Sequence, residues 1–318
     1  MAEEGKTQVT SWTFREIRNA VSACVAALTV SLTFSPAQAE PAEFLGDTRF
    51  EMSGPAMWLI EDEDTELYLF GSVHALPPEL DWQRDELIDV MNTADIIFFE
   101  TTTRDSSDDF LAFFRMGIAG PGESLHDVLN TEQLDLLADV LADVGLDLES
   151  FRGQKPWFAS LMISFAVMDM QGAAAEDGVE AWMERQLAMD RDVRSLENAL
   201  VVAESFSELT TEEQIDMLMD GLSDEELSAP VGENMLRAWM KGNPDGLYRG
   251  SFREMSEEQP GVYEIMITRR NTQWAETLDT LMDEQPGRIL VVVGAGHLAG
   301  PESVILMMEE LGWEAEQF

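Results

Sequence analysis

Two short glycine–histidine motifs are the residues of this sequence best suited to chemistry. They are Gly71-Ser72-Val73-His74 and Gly294-Ala295-Gly296-His297, and they contain two of the three histidines. Each motif follows an apolar run that is typical of a buried strand. Glycine allows a sharp turn at a strand end, and ligand sites in open α/β sheets gather at the carboxyl ends of strands. The pattern therefore predicts that His74 and His297 are two halves of one site.

Two acidic residues have equivalent places in the pattern. Glu100 ends the strand predicted at 95–100, and Glu197 ends the strand predicted at 192–197. The front half of the chain is thus strand–His, helix, strand–Glu, and the back half is strand–Glu, helices, strand–His. Parallel strands joined by helices end at the same edge of a sheet. We therefore expect Glu100 and Glu197 to lie beside the two histidines.

Two imidazoles and one or two carboxylates suit a divalent transition metal such as zinc, manganese or cobalt. Such an ion would activate a water molecule, and a second carboxylate could serve as general base. The four residues are scattered along the chain, however, with no compact metal motif. A histidine after a strand is also often structural, and Glu100 or Glu197 could simply cap the next helix. The residues alone leave both interpretations open.

Arg269-Arg270-Asn271 places two guanidinium groups beside an amide in a chain with few bases. One interpretation is a clamp for the substrate or an oxyanion near the metal. The other is a set of ion pairs that offset an acidic surface, and the residues alone favour it. The third histidine, His126, stands at a predicted helix start and is interpreted as structural.

The elements that must position these residues alternate between strands and helices, which predicts an α/β fold with a central mixed sheet and flanking helices. Two strands joined by an acidic turn begin the sheet as a hairpin, and Thr131 is predicted to cap a helix. The further elements are helices at 82–94, 156–170, 179–189, 262–282 and 302–311, several helices from 200 to about 239, and strands at 288–293 and 313–317.

The first 39 residues have the pattern of an export signal. Arg15 and Arg18 precede the apolar stretch 20–34, and Ala37-Gln38-Ala39 is a small-x-small cleavage site. A membrane anchor is the alternative, but the apolar stretch is short and contains Ser and Thr. We expect a periplasmic or secreted protein with one domain at 40–318 and no membrane segment after cleavage.

The formal net charge is −43, and it is unchanged by removal of the signal, which holds three acids and three bases. So acidic a surface repels nucleic acid and anionic lipid, and it favours cations and cationic substrates. A saline environment and a generally acidic proteome would explain the charge equally well. The one cysteine, Cys24, lies in the signal, so disulfides do not stabilise the exported chain.

Several segments, in order along almost the whole exported chain, resemble the TraB/GumN family, which includes the TIKI metalloproteases and the bacterial pheromone-shutdown proteins. They are the two Gly-x-x-His motifs, the strand ending at Glu100, Lys155-Pro156-Trp157, Gly178-Val179-Glu180, Ser195-Leu196-Glu197, and Arg270-Asn271 with Trp274-Ala275. Glu180 departs from the family pattern, which has Asp there, and would supply a carboxylate one methylene longer.

The resemblance implies a fold related to the erythromycin esterase and ChaN-like proteins, with two similar halves sharing one sheet. For the TIKI members it also implies metal-dependent peptide cleavage, with both motif histidines and the glutamate at the site. Carried over, these are His74, His297 and Glu100. The resemblance also favours a functional role for Arg270 and Asn271.

The resulting hypothesis is an exported, metal-dependent hydrolase, and the resemblance favours a peptidase. His74 and His297 would bind the metal, and Glu100 would be a ligand or base. Glu197 would be a second catalytic carboxylate, with Arg270 and Asn271 holding or polarising a peptide or small-molecule substrate. The alternative is a non-catalytic periplasmic protein that sequesters a peptide or a haem-like ligand.

Overall fold

A computed structural model describes residues 54–102, 104–105, 107–222 and 233–318. The predicted signal at 1–39 lies outside these ranges. In the described residues, six strands form one mixed sheet with the order β4-β3-β5-β2-β1-β6. The strands are β1 Met57–Glu61, β2 Thr65–Ser72, β3 Ile96–Phe99, β4 Asp192–Ser195, β5 Gly287–Gly294 and β6 Ala315–Gln317.

Helices cover both faces of this sheet. None of the helices in the described ranges is long and apolar enough to cross a membrane. They are α1 Asp85–Thr93, α2 Ser107–Gly117, α3 Leu125–Val128, α4 Thr131–Asp143, α5 Leu148–Phe151, α6 Pro156–Met170, α7 Val179–Gln186, α8 Ala199–Glu208, α9 Thr211–Asp220, α10 Glu233–Met240, α11 Pro244–Leu247, α12 Arg253–Glu258, α13 Pro260–Tyr263, α14 Arg269–Glu284 and α15 Val304–Leu311.

The four strands β4, β3, β5 and β2 are mutually parallel, whereas β1 and β6 add to one edge in antiparallel pairing. The predicted α/β class with a mixed sheet and flanking helices is confirmed. Strands from the front half of the chain (β2, β3) alternate with strands from the back half (β4, β5), so the two halves share one sheet. The relation to erythromycin esterase and ChaN-like proteins stays a prediction.

The inner strands β2, β3 and β5 of the sheet are buried on both faces. One face, with Leu69, Val291 and Val293, packs against α14 and α15. The other, with Phe70 and Val292, packs against the larger layer that contains α6. A parallel sheet that is covered on both sides needs continuous apolar strands, which is why β5 has no alternation of polar and apolar residues.

Some element bounds differ from the sequence predictions. Thr131 is the first residue of α4 and not its cap, because Asn130 and Gln133 form a capping box there. The helix predicted at 262–282 is divided by a π-helical turn, Glu264–Thr268, that directly precedes α14. Such turns insert one extra residue and rotate the helix that follows, which matters because α14 carries Arg270 and Asn271.

Candidate functional site

The carboxyl ends of the four parallel strands lie level with one another. Ser72 at the end of β2 pairs with Gly294 of β5, and Phe99 of β3 pairs with both Val292 and Ser195. The chain therefore leaves the sheet at one edge in all four places. His74, Glu100, Glu197 and His297 follow these ends within one to three residues.

Arg270 joins three of these four residues. Its Nη2 donates to Glu100 Oε2 at 2.5 Å and also to Glu197, and its Nε lies 3.1 Å from both carboxylate oxygens of Glu197. Its Nη1 lies 3.1 Å from His297 Nε2. The residue is only 4 % exposed, so the interpretation of Arg270 as part of a surface ion-pair set is wrong.

The acids around Arg270 keep its guanidinium charged although it is buried. Burial lowers the pKa of the guanidinium, but the carboxylates of Glu197 and Glu100 raise it by more. The guanidinium also lies over the ring of Trp274, 4.7 Å from the ring centre, where a cation is attracted to the π electrons. Arg270 is therefore a fixed positive charge at the centre of the site.

Glu100 is fully buried, and both of its oxygens are engaged. Oε1 accepts the backbone N–H of Gly294 at 2.6 Å, while Oε2 accepts from Arg270. The first residue of the second glycine–histidine motif thus binds the glutamate through its amide. The backbone N–H of Glu197 donates to the carbonyl of Glu100 at 3.0 Å, which holds the two acids side by side.

Asn271 fixes the orientation and tautomer of His297. The Asn271 Nδ2 group donates to the carbonyls of Glu302 and His297, at 2.7 and 3.3 Å. Its Oδ1 therefore faces His297 Nδ1, at 2.5 Å, and must accept a hydrogen bond from the Nδ1–H group. Burial and then the charge of Arg270 hold the pKa of His297 well below its usual value. His297 is thus neutral, with its proton on Nδ1 and a lone pair on Nε2.

His74 pairs with Glu180, which is not among the site residues predicted from the sequence. Its Nδ1 lies 2.8 Å from Glu180 Oε1, and Ser72 Oγ donates to the same oxygen. Burial lowers the pKa of His74, but the charge of Glu180, its polar contact with the ring and the charge of Glu100 together raise the pKa by more. Both ring nitrogens of His74 are buried without a hydrogen bond of good geometry among the described residues, so Nδ1 contacts Glu180 as a close ion pair. The sequence signal for Glu180 was its place in the Gly-Val-Glu segment.

Gly178 sets the approach of α7 to the first motif. The backbone N–H of Val179 donates to the carbonyl of Val73 at 3.0 Å. A Cβ atom at Gly178 would lie 2.1 Å from the carbonyl oxygen of His74, a contact that only backbone movement can relieve. Gly178 therefore allows Glu180 to reach His74.

We expect Gly178→Ala to lower the free energy of unfolding by about 1–3 kcal/mol, the usual cost of overpacking. Chemical denaturation measures it. Gly153→Ala is the matched control, because a Cβ there has no atom within 4 Å and the backbone has an ordinary conformation. A Gly178→Ala protein as stable as this control would contradict the role of Gly178.

Glu197 is the acid of the site that borders open space. Its side chain is 6 % exposed, and it lines a cavity of about 440 Å³. Burial raises the pKa of Glu197 to about 7, against the opposing charge of Arg270. Other lining residues include Asp105 and Asp109, which accept hydrogen bonds from Ser195 and Asn198. The cavity is thus acidic on the side that the described residues form.

Comparisons with known proteins show the family of the chain. Residues 56–317 match the TraB/PrgY/gumN family. The chain belongs to this family. It is 21 % identical over 255 residues to the uncharacterized protein YbaP of Escherichia coli (strain K12), with 80 % of this chain and 92 % of that protein covered. It is 24 % identical over 271 residues to an uncharacterized protein of Treponema pallidum (strain Nichols), with 80 % of each covered. No solved structure matches the chain.

In this TraB/PrgY/gumN protein a side-chain oxygen lies at Nδ1 of each motif histidine. In metal sites, one ring nitrogen binds the ion while the other is held by a carboxylate or amide. Here Glu180 lies at Nδ1 of His74, and Asn271 at Nδ1 of His297, so Nε2 is the nitrogen of each ring that could bind an ion. With the buried, unpartnered Nε2 of His74 and the carboxylate of Glu100, the site holds two imidazole nitrogens and one carboxylate. These are donor types that bind divalent ions in proteins.

Arg270 occupies the lone pairs of two of these donors. It takes those of His297 Nε2 and Glu100 Oε2. Among the described residues, no three metal-binding side chains converge in the arrangement of a metal site. The donor types therefore fit, and the guanidinium is the cation that lies among them in this structure.

Proposed function

We propose that this TraB/PrgY/gumN protein is an exported hydrolase that cleaves peptide bonds at a divalent-metal site. His74 and His297 would hold the ion through Nε2, and Glu100 through its carboxylate. The observation that carries the proposal is that a side-chain oxygen lies at Nδ1 of each histidine, which leaves Nε2 as the nitrogen that could bind an ion. The resemblance to the TIKI metalloproteases supplies the reaction class.

A bound transition metal supplies a Lewis acid that polarises a carbonyl oxygen. The chain's own residues do the rest. Asn271 keeps the proton of His297 on Nδ1, so that Nε2 remains a donor atom. Glu180 does the same for His74 by charge. Glu197, at the border of the cavity, can accept a proton on a carboxylate oxygen from a molecule that enters there.

The acidic cavity supports a cationic substrate. Asp105, Asp109 and Glu197 line it, and the whole chain carries a formal charge of −43. Carboxylates at this density attract a lysine or arginine side chain, or a free amino group, and they repel an acidic peptide. A volume of about 440 Å³ is within the range of small-ligand sites and can hold one or two side chains.

Metal content tests the proposal. Protein purified without chelator, and supplemented with manganese, cobalt or zinc, should contain about one transition metal per chain by elemental analysis. The double variant His74→Ala/His297→Ala should contain none. His126→Ala is the matched control, because His126 is the third histidine and lies in α3, outside the two glycine–histidine motifs. Loss of metal in this control as well would contradict the assignment.

Peptide cleavage distinguishes the proposed hydrolase from a non-catalytic binding protein. The metal-loaded protein should cleave members of a peptide library, with a preference for peptides that carry lysine or arginine, and the double variant should not. Stoichiometric metal without cleavage of any member would favour the alternative, a binding protein for a peptide or haem-like ligand. No bound metal under any of the three supplements would overturn the hydrolase.

A further inference from the structure

Arg270 and a metal ion need the same atoms. The guanidinium contacts His297 Nε2 through Nη1 and Glu100 Oε2 through Nη2, and these are two of the three proposed ligands. A lone pair that accepts an N–H cannot bind a metal at the same time. Two cations at such short distances from the same donors would also repel each other strongly in a buried site.

We propose that Arg270 is a built-in competitor of the metal, and that Glu197 is the group that holds its guanidinium when the metal binds. The inference rests on the proposed function, because it needs a metal at His74, His297 and Glu100. In the metal-free chain, Arg270 compensates the buried acids. In the metal-bound chain, the ion takes over that charge and Arg270 is left to Glu197.

Glu197 suits this role because it binds the Nε side of the guanidinium, in addition to the Nη2 atom that it shares with Glu100. Arg270 Nε lies 3.1 Å from both Glu197 oxygens, and Nε has no part in the contacts with His297 or Glu100. The terminal nitrogens can therefore leave those two residues while the Nε contacts remain. Glu197 also lines the cavity, which gives the guanidinium space beside an acidic wall.

The competition predicts that removal of Arg270 strengthens metal binding. The dissociation constants of Zn²⁺, Mn²⁺ and Co²⁺ are measured by competition with a chromophoric chelator, on full-length exported protein stripped of metal. Arg270→Met should bind the metal that wild type prefers at least tenfold more tightly. Arg269→Met is the matched control and should bind as wild type does, because Arg269 pairs with the exposed Glu208 outside the site. Equal or weaker binding by Arg270→Met would overturn the inference.

Glu197→Gln tests whether Glu197 holds the guanidinium, and here we expect weaker metal binding instead of tighter binding. Without the charge of Glu197, the guanidinium of Arg270 is kept away from the metal ligands less strongly. We therefore expect at least threefold weaker metal binding in the wild-type background. In the Arg270→Met background the same change should have no effect, because there is no guanidinium to hold. A direct ligand role for Glu197 would instead weaken binding in both backgrounds, and that result would overturn this part.

A failure of Arg270→Met to fold can be distinguished from a failure of the inference and from a failure of the proposed function. If Arg270→Met folds only when metal is present during refolding, the metal replaces the lost charge, as the inference requires. If it folds under neither condition, Glu197→Gln decides, and affinity at or above that of wild type overturns the inference. A wild-type protein without metal affinity overturns the proposed function instead.

Discussion

Replacing Arg270 with methionine should lower the free energy of unfolding of the metal-free protein by about 3–5 kcal/mol at pH 8, the usual cost of removing one partner from a buried ion pair. Methionine keeps most of the length and apolar contact of the arginine stem. It leaves Glu100, which is fully buried, without a counter-charge, and Glu197 without its donors. Chemical denaturation in the presence of a chelator measures the loss.

The neighbouring residue provides the control. Arg269 pairs with Glu208 at 2.7 Å, but their side chains are 36 % and 60 % exposed. A surface pair of this kind contributes about 1 kcal/mol or less, so Arg269→Met should stay near wild type. At pH 5 the cost of Arg270→Met should shrink, because uncompensated buried carboxyls can take up protons. A cost at pH 8 no larger than that of the control would show that the buried acids do not depend on Arg270.

The contrast between these two arginines shows where sequence reasoning reaches its limit. Both stand in one run, and in a chain so acidic either could be a surface ion pair. Neighbours on a helix point about 100° apart, so one can face the core while the other faces solvent. Which one does so depends on the rotation of α14, and the π-helical turn Glu264–Thr268 before it is not readable from apolar spacing.

The strand ends were more accessible to prediction, for a physical reason. β2, β3 and β5 are buried on both faces, so their sequences are continuous apolar runs with a sharp polar or glycine end. His74, Glu100 and His297 follow these ends directly. The direction of the strands then decides which edge the residues share.

The partners within the site were less accessible, because they join distant parts of the chain. Glu100 contacts Arg270 from 170 residues away, and Ser72 contacts Glu180 across 108 residues. No periodicity encodes such pairs. The sequence indicates Glu180 only through the family pattern, where Glu180 stands in place of Asp. Its contact with His74 is seen only in the folded structure.

Glu197→Gln should remove a pH dependence from the stability of the metal-free protein. Burial raises the pKa of Glu197 from 4.5 to about 7, with the charge of Glu100 adding to the rise and that of Arg270 opposing it. Between these two pKa values the folded chain binds more protons at this residue than the unfolded chain does. The contribution is therefore fully present below pH 4.5 and is lost as pH rises through 7, by about 3 kcal/mol in all. Denaturation curves of both proteins from pH 4.5 to 8, with chelator present, measure the difference.

The difference between the two proteins isolates Glu197 from the other titrating groups of the site. His74 has a raised pKa, so its contribution also falls with rising pH, whereas the depressed pKa of His297 makes stability fall with acid. Both terms occur in wild type and in Glu197→Gln, and to first order they cancel on subtraction. The groups that face Glu197 are Arg270 and Glu100 on the buried side, with Asp105 and Asp109 lining the cavity. A difference that stays flat between pH 4.5 and 8 would mean that Arg270 keeps Glu197 ionised throughout, and that Glu197 cannot exchange a proton near neutral pH.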